Sequence, residues 1–566
     1  MTGTNSVKRC STLTAWALLL ALLAATQGIF VIELQARCTW SLAGRSFVFL
    51  FEDAMVSMRY AYQLAHGQGL VWNPGEYVQG FTNLGWTLLM ALGQLVDKSH
   101  ETAAWFVLFA NFLLHGALTV LVFRLARPLG VALALIAAAV VSTHSALLFW
   151  GTQGMETTLA AFLVTAAFAP WLPIQGKRLG AGAEHAPWIA ALAFVVRSDG
   201  ILFFAIATFL AWRERWRPQG DPGRRRLLAG SALGLALVAG VLLFQKTYYG
   251  DFFPNTYRLK VSGGATNVWS GLDYLREFTV GQLWNAPLVV GTLLGLVLAR
   301  KERQSAPLTL LVLAWFGYVV WIGGDAFFGS RFFVPIVPLL VLVSVAGVGQ
   351  ALAGARAGRG GLPMLGLAPR LSAWLVVGVL AVLMVPCARA SWNLHFEYNK
   401  PIQSHLSSLL VGLAIEQSGL PKQEAIAVLA AGMTPYFAPS YRFHDMLGKC
   451  DRFIASGAAH PGAPGHRKWN LRHSLDVVKP QLVVTAGPYD LNRSDASYQA
   501  AVATDQLTPF VPALWVDPTF RTRYRDNRVF LFFRNVPVET GNWVFARDDV
   551  HVRRIDLAAP NYLPSP

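Results

Sequence analysis

Charge is what this 566-residue chain has least of: 14% of its residues are Asp, Glu, Lys or Arg, against 54% hydrophobic. A soluble domain carries about 25% charged residues, so a string of ordinary soluble domains is excluded. Cysteine is nearly absent, with Cys10, Cys38, Cys387 and Cys450 in no CxxC spacing. Neither a disulfide framework nor a zinc knuckle follows from four such residues. Acidic residues number 31 against 47 basic ones. The excess of +16 does not mark a nucleic-acid binder, because its position along the chain argues otherwise.

Apolar runs of about 17–25 residues, the length that crosses a bilayer, recur along two-thirds of the sequence. Between them lie short basic loops: Lys8–Arg9, Arg124–Arg127, Lys177–Arg178, Arg213–Arg226, Arg300–Arg303 and Arg356–Arg370. These loops, with Glu184 just beyond the third, hold 18 basic residues and four acidic ones. That bias is the positive-inside signal of a polytopic membrane protein. Placing each basic cluster in the cytoplasm predicts about 11 spans, an inside N-terminus and an outside C-terminus. The spans fall at about 12–32, 102–123, 130–150, 155–172, 186–197, 199–212, 227–247, 282–299, 306–323, 332–351 and 371–389. Residues 33–101 form a long outer loop, in which 84–96 is apolar but too short to cross and reads as a re-entrant or interfacial helix. The two units predicted are a membrane module, 1–390, and a soluble extracytoplasmic α/β domain, 391–566. The latter contains the β-type runs "AIAVLA", "PQLVVTA" and "RVFLFF".

With the topology set by basic loops alone, the unusual acids and arginines fall on one side. Glu52 and Asp53 lie in the first outer loop, Glu156 in "GTQGMETT", Arg197 and Asp199 in "VVRSDG", Asn255 in "YYGDFFPNTYRLK", and Asp325 and Arg331 in "GGDAFFGSRFF". Charged side chains at membrane depth are costly and point to a functional site with a partner. A carboxylate at 52 or 53 is suited to take a proton from a hydroxyl, and equally to favour a helix N-terminus through the helix dipole. Paired arginines suit bidentate binding of phosphate, or close tight turns with Asp199 and Asp325. The histidines His444, His460 and His466 show no ligand spacing and read as structural or surface residues. A sequon stands at Asn492.

These motifs, in this order, resemble the GT-C class of polyprenyl-phosphate-sugar-dependent glycosyltransferases. The string "EDAMVSMRYAYQLAHGQGLVWNPGEYVQGFTNLGW" is similar to the first-loop signature of the AftB family of arabinofuranosyltransferases, followed by "GMETTL", "RSDGIL", "YYGDFFPNTY", "GGDAFFGSRFFVPIVPL" and "HDMLGKCDRFIA". The chain departs from that family's pattern at Glu52, where a second aspartate is usual, and at Gln79-Gly80-Phe81, where Glu-Gly-Tyr is. The resemblance implies a lipid-linked sugar donor used on the outer face of the bacterial plasma membrane, with Asp53 or Glu52 as catalytic base. Arg59, Glu156, Arg197, Asp199, Asn255, Asp325 and Arg331 then bind the donor, and Trp72, Asn73, Thr82 and Asn83 the acceptor, an envelope glycan, lipid or protein. No cofactor is implied with certainty; a divalent metal is compatible with the acids, though no second DxD-type cluster supports one. A lipid or solute transporter and a noncatalytic envelope scaffold are the alternatives.

Overall fold

The computed structural model describes residues 3–42, 44–173, 182–215, 222–261, 264–282, 285–299, 306–327, 329–356, 401–486, 509–533, 536–538 and 541–557. Its first part is a bundle of apolar helices. Helix α1 (Gly3–Cys38) leads into a short hairpin, β1 (Thr39–Leu42) and β2 (Arg45–Val48). Two helices then form the first long loop, α2 (Glu52–Ala65) and α3 (Leu84–Val96). The bundle continues with α4 (Ala104–Ala126), α5 (Val131–Thr143), α6 (Ser145–Thr152), α7 (Thr157–Phe168), α8 (Ala186–Val196), α9 (Gly200–Arg215) and α10 (Pro222–Tyr249). It ends with α11 (Asn255–Val261), α12 (Ala265–Arg276), α13 (Ala286–Ala299), α14 (Ala306–Ile322) and, after a 3₁₀ turn at Arg331–Ile336, α15 (Val337–Arg356).

The first ten predicted spans each fall on described helices; the eleventh (371–389), the boundary at 390 and Asn492 lie outside the described residues. Length and composition alone qualify fewer helices than the prediction requires. Leu13–Cys38, Ala104–Leu129, Gly223–Tyr249 and Arg331–Leu352 are each long and apolar enough to cross a membrane, and two bent helix pairs raise that number to six. The pair α5–α6 bends by 47°, at His144, whose extended backbone interrupts the helix. Helices α8 and α9 are too short to cross alone and pack as a tight hairpin around Arg197–Asp199. Gly200 permits that hairpin: a Cβ there would stand 2.5 Å from the Ala193 backbone.

Helix α3 has the character expected of 84–96. It is 13 residues long; Leu88, Leu92, Leu95 and Val96 form an exposed apolar stripe, while Trp86 and Met90 are fully buried on the other face. One open apolar face and one face packed on the protein suit a short helix lying against the bilayer interface.

The C-terminal residues build a mixed sheet. The runs named in the sequence become β3 (Ile426–Val428), β5 (Leu482–Ala486) and β6 (Arg528–Phe533), joined by β4 (Phe443–Asp445), β7 (Val536–Pro537), β8 (Asn542–Ala546) and β9 (Arg554–Leu557). Strand order is β4-β3-β5-β8-β6-β7, with β9 on β6. β3 pairs parallel with both β4 and β5, whereas β8 runs antiparallel to β5 and β6. Ligands gather outside the carboxyl ends of parallel strands, and here those ends face α2. The loop after β3 brings Gly432 and Met433 to Glu52; the loop after β4 brings Lys449 to Asp53.

Candidate active site

Asp53 sits in the first turn of α2, with its carboxylate held between two cations. Arg331 donates to Oδ2 at 2.7 Å, and Lys449 donates to Oδ1. Arg331 also pairs with Asp325 at 2.8 Å. Burial alone would raise the Asp53 carboxyl, but Lys449 and Arg331 outweigh it and hold it well below the usual carboxylate range. The residue before Arg331 is strained: Ser330 adopts φ 53°, in the left-handed region that side chains rarely enter. Such strain persists where the surroundings fix a functional side chain. The Nε–H of Arg331 is buried and has no partner.

A second ionic group stands on the same cavity. Arg197 forms a bidentate pair with Asp199, at 3.0 and 2.6 Å, and reaches Glu156 at 2.8 Å. Glu156 makes no capping bond to α7; its other oxygen accepts from Asn83, which in turn accepts from Ser57 of α2. Lys260 lies 3.8 Å from Asp325, and burial pulls its ammonium down to about 8 against the attraction of that carboxylate.

Asp53, Glu156, Arg197, Asp199, Asp325 and Arg331 thus line one cavity of about 720 Å³, as do Thr82 and Asn83. One wall is ionic. The other is built from Ile201, Leu202 and Ala205 of α9 and Ala314, Gly317, Tyr318 and Trp321 of α14, and is apolar. His466, which reads in the sequence as a structural or surface residue, lines the ionic side, and two further groups there, Lys260 and Lys449, are not singled out in the sequence. Their strings were, but a lysine in a basic protein carries no signal of its own.

Five expectations need correcting. Glu52 does not line the cavity; its carboxylate accepts from the Gly432 N–H at 2.5 Å and the Met433 N–H at 3.1 Å. Burial pushes it up to about 7, against those two donors. Gly432 is obligatory there, since a Cβ would collide with the Glu52 carbonyl. Arg59 is fully buried outside the cavity lining, and its guanidinium donates to the carbonyls of Trp72 (2.7 Å), Tyr441 (2.9 Å) and Pro435. Trp72 donates to Ala431 at 3.0 Å, and Asn73 exchanges bonds with Phe443 at 2.8 and 3.1 Å. These three residues clasp the C-terminal sheet and present no acceptor surface. Asn255 is buried, reaching Gly448 at 3.4 Å, and steadies the Lys449 loop from outside the cavity.

The cavity acids do not fit a divalent metal. Each already faces Arg or Lys, and protein cations supply the positive charge. Among the described residues, three His, Cys, Asp or Glu side chains bring ligand atoms within 4.8 Å of one another in one place, His444, Asp451 and His473. That cluster lies outside the cavity lining.

Multiple apolar helices, a cavity with one ionic and one apolar wall, and a C-terminal sheet over it make up a multi-pass membrane protein with the GT-C glycosyltransferase fold. The fold is shared with ArnT from Cupriavidus metallidurans, solved bound to undecaprenyl phosphate: TM-score 0.51 and 11% identity over 94% of this chain and 98% of that one. In sequence the chain is 26% identical over 340 residues to the terminal β-(1→2)-arabinofuranosyltransferase of Mycobacterium tuberculosis, covering 52% of each. It is 24% identical over 368 residues to the enzyme of the same name from Corynebacterium glutamicum, covering 57% of this chain and 50% of that one. The chain therefore spans about half the length of the curated relatives it matches. It matches no protein-family model.

Proposed function

We propose that this chain is a membrane glycosyltransferase that moves a sugar, arabinofuranose above all, from a polyprenyl-phosphate donor to an envelope glycan, lipid or protein at the extracytoplasmic face. The observation that carries the reading is Asp53 held between Arg331 and Lys449 at a cavity whose opposite wall is apolar. A lipid phosphate has the same needs as that carboxylate: it is an anion attached to a hydrocarbon tail. The tail lies along α9 and α14, and the phosphate competes with Asp53 for its two cations. Losing those cations raises the basicity of Asp53 at the moment the donor is in place. Asp53 then takes the proton of an acceptor hydroxyl, the new bond forms from that oxygen to the anomeric carbon, and the bond from that carbon to the phosphate oxygen breaks. Polyprenyl phosphate leaves with its charge met by Arg331, Lys449 and Lys260, positioned before the reaction begins. Arg197 stays locked to Glu156 and Asp199 and serves the sugar through that carboxylate pair and Asn83. The N-terminus lies in the cytoplasm and the C-terminal sheet outside.

Purified full-length chain in proteoliposomes, given a polyprenyl-phosphoryl arabinofuranose and a glycan acceptor, tests this directly. Labelled glycan supports transfer. Protein-dependent movement of intact lipid between leaflets without glycan product means a transporter, and neither outcome means a scaffold.

A further inference from the structure

The loop that delivers Lys449 is organised from both ends. At its start Asp445 accepts from the Leu447 N–H at 3.0 Å and the Cys450 N–H at 2.7 Å. Just past its end stands Asp451, whose Oδ1 caps the short helix Arg452–Ser456 by accepting from Ile454 at 2.9 Å. That leaves Asp451 Oδ2 facing two imidazoles: His444 Nδ1 at 3.4 Å and His473 Nε2 at 3.6 Å. Charge-assisted hydrogen bonds close to about 2.7–2.9 Å, and these separations are longer. They match the edge of a tetrahedron around one ion, about 3.4 Å for ligand bonds of about 2.0–2.2 Å.

We propose that His444, Asp451 and His473 bind Zn²⁺ through Nδ1, Oδ2 and Nε2, fixing the loop that places Lys449 against Asp53. The surroundings suit it. His444 Nε2 lies 2.8 Å from Ser474 Oγ; donating its proton there leaves Nδ1 with a free lone pair, the outer-shell bond that metal-binding histidines use. His473 is held face-on to Phe453, ring centroids 4.3 Å apart. A cavity of about 230 Å³ opens on all three ligands, giving an entry path and room for a water as fourth ligand. The two arginines on its wall are engaged elsewhere: Arg442 with Glu76 at 2.7 Å, and Arg452 with the Tyr249 carbonyl. Imidazole and carboxylate together are a set that Zn²⁺ accepts readily. The metal orders the loop and takes no part in transfer, so its binding stands or falls apart from the transferase reading.

The full-length chain, purified in detergent and stripped with a chelator, is titrated with Zn²⁺ in competition with a chromophoric chelator. The expected result is one Zn²⁺ per chain, and hydrogen exchange in the peptide spanning 444–456 slows on loading. Asp451→Asn keeps the helix-capping oxygen and His473→Gln keeps bulk; each weakens binding by about tenfold or more, and Ser474→Ala by about ten- to a hundredfold. A stripped wild-type chain that takes up no Zn²⁺, or uptake unchanged in both Asp451→Asn and His473→Gln, overturns the proposal. The first of these outcomes involves no variant, so the wild-type titration stands alone as a test.

Discussion

Replacing Asp53 with Asn separates the two tasks assigned to that position. The substitution is nearly isosteric and leaves one amide oxygen to accept from Arg331 or Lys449, while Arg331 keeps its 2.8 Å pair with Asp325. The net loss of stability is therefore that of about one charge-assisted hydrogen bond, about 1.5–3 kcal/mol. Turnover falls by about 10²–10⁴-fold, the contribution of a positioned general base. Donor binding moves the other way. Asp53 and a lipid phosphate compete for the same cations, so removing the carboxylate releases at least one charge-assisted bond that the phosphate then makes. Taking the lower figure, about 1.5 kcal/mol, short-chain polyprenyl phosphate binds about tenfold tighter to Asp53→Asn. Titration calorimetry in detergent gives the dissociation constant, and radiolabel transfer gives the rate. Weaker binding of the phosphate by the variant, or turnover within a few-fold of wild type, refutes the competition argument and the role of Asp53 with it.

Three further outcomes follow from other contacts. Burial sets Lys260 near 8, so its ammonium is lost as pH rises through that value; the donor KM climbs above about pH 8 in the wild type, stays flat in Lys260→Arg, and is high at every pH in Lys260→Met. Glu52 has its carboxyl raised to about 7, so the folded chain holds that proton more tightly than the unfolded chain. Its contribution to stability is full below the ordinary carboxylate range and is lost as pH rises through about 7. Glu52→Gln accordingly retains transfer and loses less thermal stability between pH 6 and 8 than wild type, measured by thermal shift in detergent; a transfer-dead Glu52→Gln would return this residue to the chemistry. Gly432→Ala has no such tolerance: the added methyl meets the Glu52 carbonyl, and limited proteolysis should cut the C-terminal sheet of that variant faster than in wild type.

What could be read before any coordinates divides along physical lines. Apolar runs announce helices because burial in lipid or in a bundle needs them continuous, and ten of the predicted spans coincide with described helices. Charges that must pay for desolvation also stand out, which is why Asp53, Glu156, Arg197, Asp199, Asp325 and Arg331 were recognisable and now share one cavity. Glu52 was not separable from Asp53 by composition, yet helix geometry forbids equivalence: successive residues point about 100° apart, so one faces the cavity and the other the Gly432 turn. Arg59, Trp72 and Asn73 misled because their partners, Pro435, Ala431, Tyr441 and Phe443, lie hundreds of positions away. Lys449 was hidden for the same reason.

That separation in sequence has a functional consequence. Asp53 comes from the first turn of α2, Arg331 from the turn before α15 and Lys449 from the loop after β4. A carboxylate shared by two cations that lie 278 and 396 positions further along the chain is formed only when the C-terminal sheet is seated on α2. Glu52, Arg59, Trp72 and Asn73, which the sequence assigns to catalysis, donor and acceptor, do that seating, each through hydrogen bonds to backbone groups between Ala431 and Phe443. Transfer should therefore be sensitive to this clasp even though none of its members lines the cavity. Trp72→Phe, which removes the 3.0 Å indole bond to Ala431 while keeping an aromatic ring, makes the distinction measurable. A loosened sheet withdraws Lys449 and lowers donor affinity, leaving the Arg331–Asp325 pair and the apolar wall of α9 and α14 intact. A residue that stacked on the acceptor would instead raise the acceptor KM and leave donor binding alone.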